Sequence, residues 1–90
     1  MKIYKVAPMM VEKYNVIIVW LGKMYIGKEK EIQQSIDYFD KLFSQEIIIF
    51  MVDDLEQVFY HGKKEIIDKL DKNAWRRFPW QQVTIKEKES

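Results

Sequence analysis

Ninety residues, 48% of them apolar and 32% charged, carry enough apolar surface to fold but too little length for two ordinary domains, so one small domain is expected. The lack of cysteine excludes a disulfide framework, a thiolate metal site and a cysteine nucleophile, and a lone histidine leaves little for imidazole chemistry. A net charge of only +1 also argues against a protein whose main business is neutralising phosphates.

The chain opens with Lys2 to Val6, which alternates and stops at Ala7-Pro8, as an edge strand does. Val16 to Trp20 is rich in β-branched residues and is followed by Leu21-Gly22-Lys23 and then Met24-Tyr25-Ile26, a pattern that predicts a hairpin closed by Gly27. From Lys28 the period changes. Ile32, Ile36, Phe39 and Phe43 are spaced by four, three and four, which places all of them on one face of a helix. Glu29 and Glu31 open that helix and Lys41 ends it, as the helix dipole favours, with Asp37 and Lys41 as an i, i+4 pair.

The second half follows the same plan. Ile47 to Val52 is apolar throughout, Asp53-Asp54 supplies turn chemistry, and Val58-Phe59-Tyr60 resumes a strand before His61-Gly62. A second helix is predicted on Ile66 or Ile67, Leu70, Ala74 and Phe78, supported by Glu65 with Lys69 and Asp68 with Lys72, and ended by Pro79. Gln82 to Ile85 reads as a last strand and 86–90 as a frayed tail. Tyr25, Gly27 and Lys28 recur 35 positions later as Tyr60, Gly62 and Lys63, which suggests a duplicated ββα unit over 14–43 and 46–78. The expected fold is α+β: a mostly antiparallel sheet of five or six strands with two helices on one face.

Val16 to Trp20 and Ile47 to Val52 do not alternate, so both of their faces need a cover. Two helices on one face leave the other for a second copy of the chain, for a partner, or for the chain's own terminal segments. Self-association into a homodimer is the expectation drawn from this.

The chemistry available is narrow. His61 with Asp53 and Asp54 is too sparse for a metal site, the three serines have no base nearby in sequence, and the three glycines are isolated junction residues without a phosphate-loop pattern. The chain is therefore read as a non-enzymatic binding or regulatory protein without a cofactor. No apolar run reaches the roughly 20 residues of a membrane helix, and the start does not resemble a secretory signal, so no membrane partner is expected and the cytoplasm is the expected location. Twelve isoleucines and thirteen lysines against two alanines suit an A/T-rich genome, such as that of a virus or mobile element.

The most unusual stretch is Asn73 to Trp80, which holds two of the three tryptophans and both arginines. Trp and Arg dominate binding hot spots, because they combine large contact area with planar hydrogen bonding or cation–π contact. Trp75, Arg76, Arg77, Phe78 and Trp80 are the predicted contact residues for a protein partner. The competing role for Phe78 and a tryptophan is closure of the core. Charge is unevenly placed, at +4 over 1–28, −6 over 29–71 and +3 over 72–90. This supports an alternative in which Lys2, Lys5, Lys23, Lys28, Arg76 and Arg77 bind nucleic acid.

Overall fold

The computed structural model describes residues 2–22, 27–43, 46–54, 57–71 and 73–85. Among these residues five strands form one sheet: β1 (Lys2–Val11), β2 (Tyr14–Leu21), β3 (Ile47–Asp54), β4 (Gln57–His61) and β5 (Gln81–Ile85), in the order β4-β3-β2-β1-β5. Helix α1 (Glu29–Leu42) lies between β2 and β3, and a four-residue α2 (Lys64–Ile67) and a 3₁₀ turn (Trp75–Arg77) lie between β4 and β5. The fold is α+β as expected. The sheet is mixed, because β2 and β3 run parallel while the other three pairings are antiparallel. A parallel neighbour requires a crossover, and α1 supplies it.

The order explains the two non-alternating runs. β2 and β3 are interior strands, and successive side chains point to opposite faces, both of which are buried. On the first face Ile17, Val19, Ile48 and Phe50 pack with Ile32, Ile36 and Phe39 of α1. On the second face Val16, Ile18, Ile49 and Met51 pack with Ile66, Leu70 and Phe78. The two helices therefore lie on opposite faces, which corrects the expectation that they share one. A sheet buried on both sides cannot be served from one side.

Helix α1 runs as its spacing predicts, with Ile32, Ile36 and Phe39 buried and Phe43 at its C-terminal cap. Phe39 is the centre of its packing: its ring meets Tyr4 and Phe50 edge-on at 5.2 and 5.4 Å and stacks with Phe43 at 6.1 Å. The predicted Asp37–Lys41 pair is not made among the described residues. Asp37 instead accepts a hydrogen bond from Gln33 Nε2 at 3.2 Å.

Two other expectations change. β1 is an interior strand ten residues long that runs through Pro8. Its register with β5 ends at Val6, so Pro8 falls where the β5 side of β1 has no strand to receive an N–H. The second helix is one turn long, and Ala74 to Phe78 belong to a separate 3₁₀ turn, not to a continuous helix. The hairpin predicted between Val16–Trp20 and Met24–Ile26 has its second arm outside the described residues. Along its described length β2 is flanked by β1 and β3, and the ββα duplication finds no support in this strand order. The predicted 86–90 tail also lies outside the described residues.

Gly62 has a stringent role. Its φ of 143° is a conformation that side chains disfavour, and a Cβ there would lie 2.7 Å from Ile49 Cδ1 and 3.0 Å from the Ile48 carbonyl oxygen. The absence of a side chain lets the chain leave β4 tightly against β3.

A candidate tryptophan and arginine interface

The second face is closed by aromatic rings where a longer helix was expected. Trp20, on β2, meets the Trp75 ring at 5.3 Å in a T-shaped contact and the Trp80 ring at 5.2 Å. Phe78 is buried and lies 6.0 Å from Trp80. In the turn that aims these rings, Ala74 O accepts the Arg77 N–H at 2.8 Å, and Trp75 O accepts both the Phe78 N–H at 3.2 Å and the Trp80 indole Nε1–H at 2.8 Å. Pro79 fixes the chain direction between them, and β5 then pairs with β1.

The three tryptophans are each half-buried, with part of every indole in the core and part at the surface. Among the described residues two cations lie over them. Lys5 Nζ is 5.2 Å from the Trp20 ring, and the Arg76 guanidinium is 5.1 Å from the Trp75 ring. Arg77 is exposed beside Arg76 in the same turn. Lys5 reaches Trp20 because the two are directly paired in the β1–β2 register. This cross-strand pairing was not apparent from the separate sequence segments, although the aromatic and basic residues were each identified.

The sequence-predicted contact set is thus divided by burial. Phe78 belongs to the core, Trp75 and Trp80 belong partly to it, and Arg76 and Arg77 stand outside. Of the alternative basic set, Lys5 and Arg76 converge on the tryptophans. Lys28 is exposed at the start of α1, whose packed residues lie on the other face. Lys23 and the side chain of Lys2 lie outside the described residues.

The sparse acid and histidine set is not assembled. In the β3–β4 ladder His61 is opposite Phe50, whereas Asp53 and Asp54 are opposite Val58 and Gln57. Three to four strand positions separate them, roughly 10 to 13 Å along the strand. Among the described residues no group of three His, Asp or Glu side chains is placed to hold a metal ion. His61 instead borders a cavity of about 690 Å³ between α1 and the β3–β4 end, floored by Ile32, Ile36 and Ile48 and edged by Glu29, Asp40 and Lys63.

Among the described residues two titrating groups are perturbed. Burial, and then the negative charge of Asp71, raises the Tyr60 phenol above its ordinary value. A hydrogen bond and charge attraction from Glu12 raise Lys69, whose Nζ lies 2.8 Å from Glu12 Oε2. That contact joins the β1–β2 turn, where Glu12 has a φ of 55°, to the segment after α2. It replaces the Glu65–Lys69 pair predicted from helical spacing.

No helix among the described residues is long and apolar enough to cross a membrane. Compared with protein-family models, curated proteins and solved structures, the chain matches none.

Proposed function

We propose that this is a small non-enzymatic binding protein that captures an acidic, extended segment of another protein on the Trp20, Trp75 and Trp80 platform. The observation that carries the reading is the pair of cations, Lys5 and Arg76, each about 5 Å from an indole ring that is itself locked to its neighbours. The rings supply contact area at low entropic cost, because packing already fixes them. The cations and Arg77 supply charge recognition at the rim, with the arginines able to grip a carboxylate in two-point fashion. The mechanism is occlusion or bridging by binding, and the cytoplasm remains the proposed setting.

Displayed random peptides selected on the immobilised chain test the proposal. Acidic peptides with an apolar anchor are expected, and Arg76→Ala with Arg77→Ala should weaken them at least tenfold, about 1.4 kcal/mol. Selection of no such peptides, or of peptides indifferent to the double variant, would overturn it.

Nucleic acid is the second reading, favoured by the same stacking of cations on indoles. Lys28 is remote from this cluster, so the basic set proposed for it would act from two places. A single-stranded oligonucleotide titrated at two salt concentrations discriminates: affinity that falls steeply with salt supports nucleic acid over an acidic peptide of lower charge density.

A further inference from the structure

Given the acidic-peptide reading of the tryptophan platform, on which this rests, we infer that the bound segment runs along β1 at an exposed corner of the second face. It sets an acidic residue over Lys5 and a large apolar residue, two positions away, on Ile3.

The cover of the second face stops partway along β1. Strand side chains alternate, and Ala7, Met9 and Val11 pack into the second cluster while Tyr4 and Val6 pack into the first. Lys5 and Ile3 are therefore the next residues outward on the second face, and both are exposed, Ile3 by 63%. β5 continues the same corner. Val83 packs against the first cluster, which turns its neighbours Gln82 and Thr84 to the second face, where they too are exposed. The ladder sets Gln82 beside Lys5 and Thr84 beside Ile3. On the inner side the corner meets Trp20, which is paired with Lys5 and lies beneath its ammonium group.

The corner is continuous with the platform and complementary in charge to an acidic ligand. Lys5 lies over Trp20, Trp20 packs on Trp75, and Arg76 lies over Trp75, so one line of contacts joins the corner to the arginines. Ile3 gives that cationic line an apolar end. Residues two apart on a strand project the same way, about 6.5 to 7 Å apart, and an extended ligand has the same repeat. A carboxylate held at Lys5 therefore carries the ligand's residue two positions away to Ile3. Gln82 and Thr84 offer hydrogen-bonding side chains to the amides of a segment lying there.

Random peptides displayed against the immobilised full chain should enrich sequences in which a large apolar residue stands two positions from Asp or Glu. For one synthetic peptide of that kind, Ile3→Ser should weaken binding about tenfold, with the circular dichroism of the folded chain retained. Replacing the peptide's apolar residue by alanine should weaken its binding to the wild-type chain by the same factor and to the Ile3→Ser variant hardly at all, because one contact is removed from either side. Acidic peptides that depend on Arg76 and Arg77 but bind Ile3→Ser as tightly as the wild type would overturn this placement and leave the platform reading intact. Enriched peptides without acidic residues would overturn both.

Discussion

The two faces of the sheet are covered by different means. The first carries a fourteen-residue helix whose apolar side chains recur with helical period, and its packing centres on Phe39. The second carries a four-residue helix, a 3₁₀ turn and an aromatic cluster. A regular helix covers a face with many medium side chains, one turn after another. A short irregular segment covers its face with a few large rings, each able to bury more surface than an aliphatic side chain. Irregular cover leaves indoles and guanidinium groups partly at the surface, and the proposed binding role rests on these groups.

The largest expected effect tests the regular face. Phe39→Ala removes a ring that is 1% exposed, and a loss of about 3 to 5 kcal/mol is expected in chemical denaturation. Both faces share β2 and β3, so the tryptophan signal should be lost in the same transition as the helical signal. Two separate transitions would show that the faces are independent units.

Gly62→Ala tests how tightly the chain turns from β4 towards the irregular cover. With a φ of 143° and Ile49 Cδ1 2.7 Å from the new Cβ, a loss of roughly 1 to 3 kcal/mol is expected, larger than any ordinary loop substitution. An unchanged midpoint would contradict the close approach. Trp80→Phe keeps a ring but removes the indole donor to Trp75 O, and should cost about 1 kcal/mol while weakening acidic-peptide capture.

Ionisation gives two finer tests. Tyr60 has a raised phenol, so the folded state disfavours tyrosinate. Its contribution is intact below the unfolded value of about 10 and is lost as pH rises through the higher folded value. An absorbance titration should show Tyr60 ionising late, and Asp71→Asn should bring it partway back. The smallest effect belongs to Glu12→Gln. Lys69, also raised, contributes below its unfolded value and loses that contribution as pH climbs through its folded one, so the variant should lower stability slightly near neutrality and not at strongly alkaline pH.

Much of the first face was legible in the sequence, because Ile32, Ile36, Phe39 and Phe43 repeat at one period over a long segment. The same rule misled at Ile66 to Phe78. Leu70 and Phe78 are buried as the helical pattern required, but they reach the core from a turn and an extended segment, since burial alone does not specify the backbone between buried residues. Pro8 also misled, because a proline removes one donor and ends a strand only where a neighbour needs that donor. Continuous apolar character in β2 and β3 correctly signalled two covered faces. What covers them depended on long-range register, as did the meeting of Lys5 with Trp20 and of Trp20 with Trp75 and Trp80.

The most direct test of the self-covered sheet is a nuclear Overhauser spectrum of the three tryptophan side chains. Cross-peaks are expected from the Trp20 ring to both the Trp75 and Trp80 rings, with a Trp80 indole N–H protected from exchange by its bond to Trp75 O. A Trp80 indole in rapid exchange with water and without contact to Trp20 would contradict it, and would leave the second face of the sheet uncovered by its own chain.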